Sequence, residues 1–211
     1  MRMRTEVWLA LMATMTWGAS ASAMPPDAER LKTAAEEFDA GRRAYKLRDF
    51  ENSAIHFENA DRDAPSPEAL QSAIRGRKEA GQAARAATLS ALGLARYPND
   101  KSFGEYARQV LAESERGLHK VSIGCSPECT LIVDNKVMPF GETSNAVVYV
   151  EPGAHAVVAG WSNNRHKNAD VAAVAAGTSK IAFTAPAIEK TPAPEPPPAP
   201  EPATPRDPAE I

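Results

Sequence analysis

Aromatic residues are scarce in this chain of 211 residues, and positive charge is not in excess. Phe, Trp and Tyr make up 6% of the sequence, so a hydrophobic core must be built largely from Ala, Val, Leu and Ile. The 24 Lys and Arg residues are balanced by 27 Asp and Glu residues, and the formal net charge is -3. Because a nucleic-acid-binding domain usually presents a basic face, this balance argues against nucleic acid as a partner.

Motifs of catalysis and cofactor binding are also missing. The sequence has no Gly-rich phosphate loop, no nucleophile elbow and no His-Glu-x-x-His segment. The histidines show no paired ligand spacing, and His155 follows a tight turn without a neighbouring nucleophile, which indicates a structural or surface role. We therefore expect a non-enzymatic protein with no cofactor and no metal. A hydrolase would require a nucleophile and a base that converge only in three dimensions.

The long apolar run at the N-terminus is too short to span a bilayer comfortably. Arg2 and Arg4 precede an apolar segment that extends from Val7 to Trp17. Ala21-Ser22-Ala23 then supplies the small-x-small pattern that signal peptidase requires. This layout predicts a cleaved signal peptide over residues 1–23. It also predicts export across the inner membrane to the periplasm or cell envelope, with no membrane span after cleavage.

Only two cysteines are present, Cys125 and Cys129, in the segment GCSPEC. Two thiols are too few to form a four-ligand zinc site alone. A redox dithiol usually has two intervening residues at a helix start, whereas three residues separate this pair and β-type sequence follows. Because disulfides persist in exported proteins, we favour a structural disulfide, with metal binding and redox chemistry as the alternatives.

Residues 24–117 contain the amphipathic period of α-helices from about residue 27 onward. Five helices joined by short turns are predicted, and the last is expected to end at Gly117 with a left-handed C-cap. Three polar residues are of the types that cap helix N-termini: Asp49, Ser66 and Asp100.

The helix stops recur at a repeat-like interval, since Pro65 and Pro98 are 33 residues apart. The segment GRRAYKLRDFENSAIHFENADRDAP, Gly41 to Pro65, resembles a tetratricopeptide repeat. It has a glycine where two helices would touch, an aromatic and small residues at the packing positions, and the closing proline. A second unit, Pro67 to Pro98, matches more weakly through its small residues Ala86, Ser90 and Gly93. The resemblance implies stacked helical hairpins with the fifth helix as a cap.

The resemblance also implies a peptide-binding groove, which the first helix of each hairpin lines in tetratricopeptide-repeat proteins. Arg42 and Arg75 are again 33 residues apart, so stacked units would place them side by side. Such a row of cations could hold an acidic segment or a C-terminal carboxylate. An ordinary solvated face is the alternative, and the sequence alone favours it. The candidate groove residues are Arg42, Tyr45, Lys46, Arg75 and Lys78.

After Gly117 the hydrophobic period falls to two, and six strand-like runs follow between turn residues. Asp134-Asn135-Lys136 and Pro152-Gly153 are predicted turns. Residues 120–183 resemble the PEGA domain, a small β-sandwich of bacterial surface and envelope proteins. CTLIVDNKVM stands where that family has a Val-x-Val-Asp-Gly hairpin, and VVYVEPGAHAVVAGW where it has strand, Pro-Gly-x-His and strand. The resemblance implies an antiparallel β-sandwich over residues 118–186.

The C-terminal segment, residues 187–211, is rich in proline and has no hydrophobic anchor. A segment of this composition cannot bury a core, so we predict a disordered, polyproline-like tail. A spacer is the preferred role of this tail, and a ligand for another protein is the alternative.

These patterns together predict an α+β protein of two domains, a tetratricopeptide-like helical stack followed by a small antiparallel β-sandwich. The expected function is that of a non-enzymatic, exported envelope scaffold that binds an unidentified protein partner through its repeats. The alternative is a cell-wall or glycan-binding module that acts through the β-sandwich near Trp161.

Overall fold

The computed structural model describes residues 28–188, so the predicted signal peptide and nearly all of the predicted tail lie outside the described residues. Five helices are followed by six strands, an α+β arrangement that confirms the predicted fold class. The helices are α1 (Ala28–Lys46), α2 (Phe50–Asp63), α3 (Pro67–Glu79), α4 (Ala83–Arg96) and α5 (Lys101–Ser114). The strands are β1 (His119–Val133), β2 (Lys136–Val137), β3 (Thr143–Val150), β4 (Gly153–Trp161), β5 (Arg165–Ala173) and β6 (Thr178–Thr184).

The predicted N-terminal caps of α2, α3 and α5 are confirmed, because each capping side chain accepts a hydrogen bond from the backbone N–H three residues later. The prediction for the end of α5 is wrong. This helix ends at Ser114, and Gly117 does not adopt a positive φ. The Gly117 N–H instead donates to the Ser114 carbonyl, which tightens the chain as it turns into β1.

Small residues let consecutive helices approach closely. A β-carbon added at Gly41 would lie 2.9 Å from the ring of Phe57, so α1 and α2 touch at this predicted glycine. The helices enclose a core that includes Phe57, Leu70, Ile74, Leu89 and Phe103.

Strand β1 is shared by two groups of strands. Its first half pairs with β3 and β6, whereas its second half pairs with β2 and β4, and β5 continues the sheet beyond β4. All of these pairings are antiparallel except that between β1 and β6, which is parallel. Alternate residues of β1 point into a core that is shared by both groups, and this core includes Val121, Ile123, Leu131, Val148, Val157 and Phe183.

The segment GCSPEC lies within a single strand, where the sequence predicted a break between two strands. The register of β1 on β3 shifts between Gly124 and Cys129, so the intervening residues form a bulge. The Ser126–Pro127 peptide bond in this bulge is cis. The Cα atoms of Cys125 and Cys129 lie 5.8 Å apart across a disulfide, which is compatible with the predicted staple.

Removing this disulfide should lower the free energy of unfolding by about 2 kcal/mol, because the chain-entropy model gives that value for a loop of so few residues. Chemical denaturation of the Cys125→Ser/Cys129→Ser variant, beside the oxidised and the reduced wild-type protein, measures the effect. The reduced protein is expected to match the variant. Equal stability of all three samples would contradict the expectation.

Helix α4 packs against β3 and joins the helical half of the chain to the sheet. Ala87 of α4, Leu118 and Tyr149 form a small buried cluster at this junction. The hydroxyl of Thr88 accepts a hydrogen bond from the Tyr149 N–H at 2.9 Å, so the helix satisfies a backbone group on the outer edge of β3. The groove face and the sheet are thereby held in a fixed relation.

Candidate peptide-binding groove

A hollow of about 270 Å³ lies on the helical half, between α1 and α3. Four of the five predicted groove residues line this hollow: Arg42, Tyr45, Lys46 and Arg75. Phe38, Phe57 and Ser72 complete the lining. The structure therefore brings together residues of two helices that the 33-residue spacing predicted to be neighbours.

Aromatic rings line part of the hollow. Phe38, Arg42 and Tyr45 follow one another at helical spacing, so they share one face of α1. Phe38 packs edge-on against Phe57, with the ring centroids 5.1 Å apart. Phe57 is buried in the core, whereas Phe38 and Tyr45 are half-buried and leave part of their rings accessible.

Three cations stand around these rings, and all three side chains are exposed. The guanidinium of Arg42 lies 3.6 Å from the carboxylate of Asp39, in an ion pair that is exposed on both sides and therefore weak. Arg75 lies beside Tyr106 of α5. Burial raises the pKa of Tyr106, while the neighbouring Lys78 and Arg75 oppose that rise. The hollow can therefore accept an anionic ligand without first breaking a buried ion pair.

Lys78, the fifth predicted residue, does not line the hollow. Its ammonium donates to Glu113 of α5 at 2.6 Å, and this hydrogen bond raises the pKa of Lys78. The residue borders a separate depression that Gly81, Glu113 and Pro152 share.

Sequence analysis missed Arg108, an exposed residue of α5 that lies 33 residues after Arg75. The same spacing that linked Arg42 to Arg75 would have found it. It was overlooked because the fifth helix was interpreted only as a cap. The three arginines occupy equivalent positions on α1, α3 and α5.

Ser179 and His119 form a contact of the kind that a hydrolase would require. The Ser179 Oγ lies 2.8 Å from Nε2 of His119, but Nδ1 faces the backbone of Val174 at 3.1 Å rather than a carboxylate. His119 is 4% exposed, and Gly177 packs against its ring. The imidazole is thus enclosed beneath the β5–β6 connection, which indicates that the pair joins β1 to that connection.

His155 links two turns of the sheet. Its Nδ1 lies 2.6 Å from the Asp134 carboxylate, and its Nε2 lies 2.7 Å from the Glu151 carbonyl oxygen. Both partners are acceptors, so the protonated imidazole satisfies them together. Burial acts to lower the pKa of His155, but the hydrogen bonds to Asp134 and Glu151 outweigh it and raise the pKa. For Asp134 burial acts to raise the pKa, but the hydrogen bonds from His155 and Ala156 outweigh it and lower the pKa.

The His155 contact should make stability depend on pH. The contribution of His155 is present below about pH 6.5, the ordinary pKa of histidine, and is lost as the pH rises through the raised pKa of the folded protein. The contribution of Asp134 is present above its ordinary pKa of about 3.9 and is lost as the pH falls through the lowered pKa. His155→Gln should therefore destabilise the protein most near about pH 5.5 and less near about pH 9.

Urea denaturation of this variant at the two pH values measures the difference. His166→Gln, at an exposed histidine of β5, is the matched control and should show no such pH dependence. A loss of stability in His155→Gln that is equal or greater at the higher pH would contradict the expected sign.

Trp161 is half-buried against the core of the sheet. Its Nε1–H donates to the Pro127 carbonyl at 3.1 Å, which ties the indole to the bulge of β1. A Trp that binds glycan would present a free ring face, so this placement lends no support to the glycan-binding alternative.

Across residues 28–188, no group of three or more His, Cys, Asp or Glu side chains is arranged to hold a metal ion. None of the helices in the same part of the chain combines the length and apolarity that a membrane crossing requires. Comparisons with family models, with curated proteins and with solved structures find no match to this chain. The resemblances to the tetratricopeptide repeat and the PEGA domain therefore remain predictions.

Proposed function

We propose that this chain is a non-enzymatic, exported scaffold of the bacterial cell envelope. Its helical half binds an acidic peptide segment of a protein partner, and its PEGA-like sheet forms the surface module to which that half is joined. The observation that carries the proposal is the convergence of Arg42, Lys46 and Arg75 around the half-buried rings of Phe38 and Tyr45.

The chemistry of the hollow favours carboxylates. An arginine guanidinium donates two parallel hydrogen bonds to a carboxylate, and such charge-assisted bonds contribute about 1.5–3 kcal/mol each. The exposed pair of Arg42 with Asp39 contributes little, so a peptide carboxylate can replace Asp39 at low cost. The aromatic rings add apolar area for the peptide backbone and for small side chains.

A crosslinking pull-down of the mature protein from envelope extracts tests the proposal. The Arg42→Glu/Arg75→Glu variant should lose the captured partner, because two attractive contacts become repulsive. Arg43→Glu/Arg116→Glu is the matched control: it makes the same change in net charge at exposed positions that do not line the hollow, and it should capture the partner normally.

Circular dichroism of both variants establishes that each remains folded. Undiminished capture by the folded Arg42→Glu/Arg75→Glu variant would refute a role for the hollow. Loss of capture in both variants to the same extent would show that net charge, not the hollow, governs the interaction.

A further inference from the structure

The chemistry of the hollow matches the composition of the chain's own C-terminal segment. Residues 189–211 contain nine prolines, five acidic residues and two basic residues, which gives this segment a net charge of -3. The hollow offers Arg42, Lys46 and Arg75 beside Phe38 and Tyr45. Proline-rich segments bind in aromatic-lined grooves because the polyproline conformation is already ordered, and glutamates among the prolines complement the cations.

We propose that residues 195–210, EPPPAPEPATPRDPAE, occupy the hollow of the same molecule, so that a protein partner must displace them. This inference rests on the proposed function, since it concerns the same site. It assigns the tail a regulatory contact in place of the spacer role.

Charge complementarity extends along this segment. Its acidic residues recur at intervals of six and three residues: Glu195, Glu201, Asp207 and Glu210. Three residues complete one turn of a polyproline helix, so these four carboxylates would lie on one side of the segment. Arg206 is the one basic residue among residues 195–210. A segment that presents its carboxylates on one side fits a surface whose cations stand around a single hollow.

The segment is long enough to reach the hollow. At about 3.1 Å per residue, the 22 residues between Ile188 and Glu210 can extend over about 70 Å. A compact domain the size of the described region has a diameter of about 40 Å. Later parts of the segment can therefore pass around the molecule to any face of the helical stack.

Leu47 allows the contact to be tested without removing a cation. This residue directly follows Lys46, is 81% exposed and carries no charge. The photo-crosslinking amino acid benzoylphenylalanine replaces Leu47 in the full mature chain, and mass spectrometry maps the products after irradiation. The expected product is an intramolecular crosslink to residues 189–211. The same amino acid at Val137, an exposed residue of β2, is the matched control and should give that crosslink at a much lower level.

Charge reversal tests the chemistry of the contact. Changing Glu195, Glu201, Asp207 and Glu210 to lysine should reduce the crosslink at least about tenfold, as should Arg42→Glu/Arg75→Glu. Combining the two sets of changes should restore it. Absence of the crosslink in the unchanged chain would overturn the inference, and so would a crosslink that forms only between molecules and disappears on dilution.

A second measurement separates this inference from the proposed function. A fluorescein-labelled synthetic peptide of residues 195–210 is titrated into the unchanged chain and into the four-lysine chain. If the tail occupies the hollow, the four-lysine chain should bind the peptide about tenfold more tightly, because the tethered competitor is lost. Equal binding to both chains would overturn the inference and leave the proposed function standing. Binding to neither chain would overturn both.

Discussion

Gly93→Val is expected to lower the free energy of unfolding by about 3 kcal/mol, the largest effect of a single methyl-bearing substitution that the helical half predicts. A β-carbon at Gly93 would lie 2.1 Å from the ring of Phe103 and 2.9 Å from Leu70. Both neighbours are buried in the core between α3, α4 and α5, so neither can move without displacing other core side chains.

The position of Gly93 explains why glycine is needed there. Phe103 lies at the start of α5, and its ring fits over the bare backbone of α4. Tyr97 packs edge-on against the same ring, with centroids 5.8 Å apart, and limits the ring's movement. Any side chain at position 93 must therefore push α4 and α5 apart.

Ala95→Val is the matched control, because Ala95 lies on the same helix at an exposed position. It should cost no more than about 0.7 kcal/mol, which is the range of helix propensity for such a change. Chemical denaturation monitored by circular dichroism measures both variants. Comparable losses in the two variants would contradict the account of the α4–α5 contact.

Glu58→Gln is expected to cost about 3 kcal/mol, since removing one partner of a buried ion pair leaves the other charges uncompensated. The Glu58 carboxylate accepts hydrogen bonds from Arg77 at 2.7 Å and from Arg85 at 2.5 Å. The side chains of Glu58 and Arg77 are each 11% exposed, so water cannot fully replace the lost charge. Arg85 also donates to the Val137 carbonyl at 3.3 Å, so this network joins three helices to the β2 hairpin.

The control for this prediction is Glu36→Gln. Glu36 pairs with Lys32 one turn away on α1, at 3.8 Å and with both side chains exposed, and such pairs contribute about 0.5 kcal/mol or less. Urea denaturation at neutral pH compares the two variants. If Glu58→Gln costs no more than Glu36→Gln, the network does not stabilise the junction as proposed.

Local features of the fold could be predicted because they depend on neighbouring residues. A capping side chain reaches a backbone N–H three positions away, so Asp49, Ser66 and Asp100 were identifiable from the sequence. The hairpin turn was identifiable for the same reason, since Asp134 and Asn135 tolerate the positive φ values of 48° and 63° that they adopt.

Contacts between distant segments could not be predicted in this way. Thr88 and Tyr149 meet across 61 residues of sequence, and neither residue type indicates the other. The parallel pairing of β1 with β6 and the continuity of β1 through its bulge likewise depend on the assembled sheet. Two separate domains were therefore expected where α4 in fact packs on β3.

The candidate groove shows the same division. A repeat period places Arg42 beside Arg75 because each step of a helical stack returns to an equivalent position. The period says nothing of the competing partners that surround each residue. Glu113 binds Lys78 and draws it away from the hollow, and only the packing of α5 determines that contact.

Peptide titration tests the central claim most directly. A fluorescein-labelled peptide of alternating glutamate and proline is titrated, by fluorescence anisotropy, into the mature protein, Arg42→Glu/Arg75→Glu and Arg43→Glu/Arg116→Glu. The account predicts binding to the first and third proteins with a similar Kd, a Kd at least about tenfold higher for the second, and weaker binding as salt increases. Equal affinity for all three proteins, or equal affinity for a peptide with lysine in place of glutamate, would contradict it.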